Sequence, residues 1–153
     1  MKILFSLLFC VTYLFPQEYP DKTVHDHIKQ GVFFLGAAEY EKATSTFTQL
    51  QKEKPGLPAG LLFQAATEIV KSFDYGIPLN KNLIESKLSE AAKIAKKNYS
   101  DDKNDIWNNY FMALTAGYST YYEYLQQNWL TVLETGVEAL RYFDRCIELD
   151  PKF

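Results

Sequence analysis

Residues 30–55, "QGVFFLGAAEYEKATSTFTQLQKEKP", decide the fold. The stretch holds two apolar patterns at three- and four-residue spacing, divided by a turn built on Gly36 in "GAAEYEKA". In the first pattern Gly31 is followed three residues later by Phe34. In the second, Ala43 leads to Phe47 and Leu50, with Tyr40 just past the turn and Pro55 at the end. Small residues let two helices approach closely, and aromatic rings fill the space beside them. Proline lacks the N–H that the next helical turn needs, so it closes the second pattern. The stretch predicts two helices packed as a hairpin.

Working outward, the chain past residue 20 reads as helix nearly throughout. Pro20 and Asp21 open the first helix. "KEKPGLP" breaks the pattern at Pro55, Gly56 and Pro58, "FDYGIPLNKN" at Gly76 and Pro78, "NYSDDKND" at 100–104, and "QQN" more gently at Asn128. Leu62, Ala65, Ala66, Ile69 and Phe73 share one helical face, and Leu88, Ala91, Ala92 and Ala95 another. No alternating strand pattern of useful length occurs. These breaks predict about six helices in three hairpins.

The hairpins also repeat. A step of 34 residues carries Gly31 to Ala65, and a step of 48 carries Ala65 to Ala113. At that offset "LFQAAT" (62–67) lies over "YFMALT" (110–115), with Phe, Ala and Thr in register, and Ala91 falls on Ala139. The second and third hairpins are therefore enlarged, giving approximate repeats over 22–55, 57–103 and 105–151.

The pattern of 30–55, and "EALRYFDRCIELDP" over 138–151, resembles the tetratricopeptide (TPR) repeat without gaps. The longer segment "DIWNNYFMALTAGYSTYYEYLQQNWLTVLETGVEALRYFDRCIELDP" is also similar to uncharacterised exported bacterial TPR proteins, though Ala113 and Gln127 stand where those carry Gly. Those proteins continue with further helices, so the resemblance implies an N-terminal portion of a longer array. It implies an all-α, TPR-like α-solenoid over 17–153, and it brings no known activity.

Function in such arrays sits on the concave face. Carrying the family's lining positions across gives His25, Ile28, Val32 and Leu35 in the first hairpin. The second supplies Ala59, Leu62, Ala66 and Ile69, and the third Trp107, Tyr110, Leu114 and Gly117. These residues are largely apolar or aromatic, unlike the Lys and Asn clamp with which chaperone-binding TPR domains hold a carboxylate. Two outcomes follow. The groove binds an apolar or helical segment, or the lengthened helices fold over it and fill it. In "GYSTYYEYLQQNW" (117–129), Tyr118, Tyr121, Tyr122 and Leu125 fall at core spacing, while Glu123 and Tyr124 project elsewhere. The last helix presents Leu140, Phe143, Ile147 and Leu149 with no following helix to cover them. Repeats bury their apolar faces on their neighbours, so a continuation of the chain, a partner, or self-association is expected there.

The N-terminus, "MKILFSLLFCVTYLFPQEYPDK", pairs Lys2 with an apolar run from Ile3 to Phe15. That is the length of an export signal and short for a bilayer span. The reading is a signal peptide over 1–16, an exported product in the bacterial periplasm or outer envelope, and no stable membrane span after cleavage. Phe9 before Cys10 argues against a lipid anchor. The whole chain carries 16 Lys and Arg against 19 Asp and Glu, a net charge of −3. Losing Lys2 leaves 15 against 19, or −4. With no basic stripe, a nucleic-acid partner is not expected. Cys146 would be the mature protein's single thiol, at a packing position inside a helix, so no internal disulfide or Cys/His metal set is expected. His25 and His27, two apart, diverge on a helix and chelate poorly. No GxSxG, P-loop, HExxH or GxGxxG pattern is present.

The sequence therefore predicts a non-enzymatic scaffold that binds a peptide or helix, with no cofactor. The alternatives are a carrier or sensor of an apolar or sugar-like ligand in an aromatic groove, or an accessory module of an envelope-assembly machine.

Overall fold

The computed structural model describes residues 18–153, so the signal reading at 1–16 and Cys10 lie outside the described residues. Those residues form six α-helices and no strand: α1 (Lys22–Gly36), α2 (Tyr40–Glu53), α3 (Ala59–Tyr75), α4 (Lys81–Asp101), α5 (Ile106–Leu125) and α6 (Trp129–Leu149). The breaks fall where Pro, Gly and the polar clusters put them, at 54–58, 76–80, 102–105 and 126–128, with the first turn at 37–39. Each helix packs mainly on the helices before and after it, and α3 also touches α1 and α5. The protein is all-α.

Local chemistry sets the helix starts. Asp21 caps α1 by accepting from the N–H groups of Thr23 and Val24, Asn80 caps α4 through Leu83, and Asp105 caps α5 through Asn108. Asp21 also pairs with Lys54 at the end of α2. The Lys54 hydrogen bond, helped by the Val24 N–H, holds the Asp21 carboxyl below its ordinary range. At the far end of α3, Gly76 takes φ 63°, a left-handed cap that favours glycine.

The first hairpin is built on the contact its sequence predicts. Gly31 in α1 lies against the Phe47 ring of α2, and a Cβ at Gly31 would overlap that ring. Phe47 in turn stacks on Phe63 of α3, with ring centroids 5.1 Å apart. Gly60 does the same for α2 and α3, since a Cβ there would come within 2.8 Å of the Gln51 backbone nitrogen. Both glycines are there because two helices touch.

The overlaid segments 62–67 and 110–115 have matching environments. Phe63 and Phe111, Ala65 and Ala113, and Thr67 and Thr115 are all buried. Thr67 donates to the Phe63 carbonyl at 2.7 Å, and Thr115 to the Phe111 carbonyl at 2.8 Å. Helices α4 and α6 are both 21 residues long, and their first residues lie 48 apart (129 − 81). The loop joining α4 to α5 is tied down by side chains. Buried Asn109 donates to the carbonyls of Lys103 (2.9 Å) and Asp105 (2.8 Å), and Asn108 to that of Asn98 (3.0 Å).

Candidate functional site

The nine groove positions proposed from the sequence are packed inside the protein. Leu35, Leu62, Ala66, Ile69, Tyr110 and Leu114 are buried. Ile28, Val32 and Trp107 are half-buried against the same core. Of the other lining positions, Ala59 is buried, and His25 and Gly117 are half-buried. Six of the nine are enclosed in the core, while Ile28, Val32 and Trp107 keep part of their surface open to solvent.

Two flanking segments cover the third station. Tyr19, ahead of α1, reaches α5 and meets Trp107 edge-on with centroids 4.9 Å apart, and Phe111 at 6.0 Å. Phe153, beyond α6, folds back onto Trp107 (5.2 Å) and Tyr110 (5.6 Å). Phe143 of α6 adds a further ring beside Tyr110. Burial, and then the charges of Asp105 and Asp21, raise the Tyr19 phenol above its ordinary pKa. Burial also pushes the Tyr110 phenol well up. The sequence pattern does not foreshadow this cluster, because Tyr19 and Phe153 lie outside any helical repeat.

Other tyrosines join one hairpin to the next. Tyr40, at the start of α2, donates its hydroxyl to Asp74 near the end of α3, and its ring lies edge-on to Tyr75 at 5.4 Å. Tyr122 of α5 donates to Glu85 of α4 at 2.8 Å. Burial, followed by the carboxylate partner, pushes both phenols well above their ordinary range. Burial alone pushes Tyr118 up to about 12. In the tyrosine run, Tyr122 is buried, Tyr118, Tyr121 and Leu125 pack against the core, and Tyr124 is exposed, as the helical spacing predicts. The Tyr40 and Tyr122 hydroxyls bind carboxylates structurally and stay protonated at neutral pH.

Cys146 is buried, with its sulfur 3.6 Å from the Ile106 carbonyl. Burial pushes the thiol up to about 11, so it carries little thiolate at neutral pH and is a poor nucleophile. Among the described residues no group of three or more His, Cys, Asp or Glu is placed to hold a metal ion. His27 donates its Nδ1–H to the Thr23 carbonyl (2.8 Å), while its Nε2 faces Glu53 at 3.9 Å. No helix among the described residues is long and apolar enough to cross a membrane.

Among the described residues, the longest run of exposed apolar side chains is on α6; Phe33, Phe73, Tyr75, Ile77 and Leu83 are exposed elsewhere. Leu130, Leu133, Val137, Leu140 and Ile147 are between 55% and 77% exposed. They recur at three- and four-residue spacing up to Leu140 and again seven residues on at Ile147, with Asp144 between, and so share one helical face. Trp129, at the head of the stripe, is also exposed and packs edge-on to Tyr124 at 5.6 Å. The opposite face of α6 carries its two buried residues, Ala139 and Cys146. Of the four residues read as uncovered from sequence, Leu140 and Ile147 belong to the stripe. Phe143 and Leu149 are half-buried, Phe143 because it turns toward Tyr110. Leu130, Leu133 and Val137 extend the stripe to the start of the helix, which the sequence reading overlooked. Compared with protein-family models, with curated proteins and with solved structures, the chain matches none.

Proposed function

We propose that this protein is a non-enzymatic, TPR-like helical-repeat scaffold that docks an amphipathic helix of a partner protein along α6. The observation that carries the reading is the solvent-facing stripe Leu130, Leu133, Val137, Leu140 and Ile147. Helix-in-groove recognition uses anchors at this spacing. The TPR-like part of the reading is supported by the consecutive packing of the helices, the close approach at Gly31 and Phe47, and the matched environments 48 residues apart. The scaffold operates outside the cytoplasm of a bacterium, in the periplasm or outer envelope, on the strength of the apolar run 3–15 behind Lys2.

The test uses a labelled synthetic peptide with leucine at the first and fourth positions of each heptad, followed by fluorescence polarisation. Saturable binding that weakens at least tenfold in a Leu133→Glu/Leu140→Glu variant is the expected result. No binding, or binding that the variant retains, would overturn the reading.

A further inference from the structure

We infer that the occupant of the α6 stripe is a second copy of this chain, its α6 lying antiparallel to the first across a two-fold axis. This rests on the reading of α6 as a docking face and names its partner. Two features of the helix carry it: a stripe that is nearly its own mirror, and charges that meet opposite partners only in the antiparallel orientation.

The stripe positions run 130, 133, 137, 140, 144 and 147, alternating three- and four-residue steps. Read backwards, the steps are the same. An antiparallel pairing centred between residues 138 and 139 sets Leu130 against Ile147 of the second copy, and Val137 against Leu140. Both layers are apolar, and both occur twice, as an isologous interface requires. The remaining layer sets Leu133 against Asp144, the one polar residue of the stripe. A single polar residue in such a seam fixes register at a cost in stability.

The charges beside the stripe point the same way. Glu134 and Arg141 are exposed, seven residues apart on one edge of it, and neither forms an ion pair among the described residues. In the antiparallel register each Glu134 lies within one helical turn of Arg141 of the second copy, on both sides of the axis. A parallel register would instead set Glu134 beside Trp129 and Arg141 beside Gly136 of the second copy, leaving neither charge an opposite partner. Opposite charges flanking a helical seam set orientation in this way.

The area is sufficient for a modest dimer. Five side chains exposed to this degree present about 550 Å2, near the top of the range for the largest apolar patch on a monomer. Two copies would bury on the order of 1,100 Å2 from the stripe alone, close to the lower bound for specific interfaces.

Sedimentation equilibrium of the full chain tests this, with circular dichroism confirming that each variant remains helical. The wild type should dimerise, and Leu133→Glu/Leu140→Glu should be monomeric. Glu134→Arg alone and Arg141→Glu alone should each weaken the dimer about fivefold or more. The double swap should restore it to within about twofold, and Asp144→Leu should tighten it. A monomeric wild type overturns the inference, as does a dimer that survives the stripe substitutions or a double swap that fails to restore pairing. A monomer that still binds the heptad peptide through the stripe would overturn the self-pairing while leaving the docking face intact. A monomer that does not bind it would remove both.

Discussion

Helices α3 and α6 make an instructive pair. α3 buries ten of its 17 residues, and α6 buries two of 21, although both carry apolar residues along most of their length. The difference is one of position. α3 is covered by α2, α4, α5 and α1, whereas α6 packs chiefly on α5 alone. In a chain whose helices contact mainly their sequence neighbours, the same apolar spacing produces core where a helix is covered on several sides and a bare face where, among the described residues, it is covered on one.

Substitutions should break this contrast in graded steps. The largest effect is expected from Phe47→Ala, which empties the space between Gly31 and Phe63. By the usual cost of deleting a buried ring, it should lose about 3–5 kcal/mol of stability in urea denaturation. Next comes Gly60→Ala, whose new methyl must push against the Gln51 backbone. Overpacking of this kind costs about 1–3 kcal/mol, read as a lower melting temperature.

A gentler effect should appear with alkali. The folded protein holds Tyr40, Tyr110, Tyr118 and Tyr122 protonated above the ordinary pKa of 10, and the unfolded chain does not. Stability is therefore full below pH 10 and falls as pH rises beyond it. A spectrophotometric titration should show these phenols ionising late, together with unfolding. The smallest effect belongs to α6: Leu140→Ser, measured at a concentration where the protein is monomeric, should shift stability by no more than about 0.5 kcal/mol. A loss of 2 kcal/mol or more there would mean that the stripe already belongs to the core.

How far this was legible in the sequence follows from the same contrast. The first hairpin was readable because its key contact, Gly31 on Phe47, is made between neighbouring helices with strong spacing. The register of Ala65 with Ala113 and of Thr67 with Thr115 was readable because identical neighbours impose identical environments. Phe73 shared a face with Leu62, Ala65 and Ile69 by periodicity, yet it is exposed. It lies in the last turn of α3, near Tyr75 and Ile77, which are exposed as well. The groove residues illustrate the same limit. Periodicity states which residues share a face, but not that Tyr19 and Phe153 arrive from outside the helices to cover Trp107 and Tyr110. The stripe was only half seen because Leu130, Leu133 and Val137 look like core until the helix is known to be covered on one side only.

The central claim, that α6 docks antiparallel on α6 of a second copy, is tested most directly by spin-label distances. Glu138 and Glu148 are exposed on α6, and with Cys10 replaced by Ser the buried Cys146 thiol would not compete for label at cysteines introduced there. At a helical rise of 1.5 Å per residue, labels at 138 should lie close together across the axis, while labels at 148 should be separated by about 29 Å along it. Those two distances, one short and one long, are the predicted result. Short distances at both positions would mean a parallel pair, and no intermolecular distance at either would mean that the stripe does not meet itself; either outcome would contradict the account.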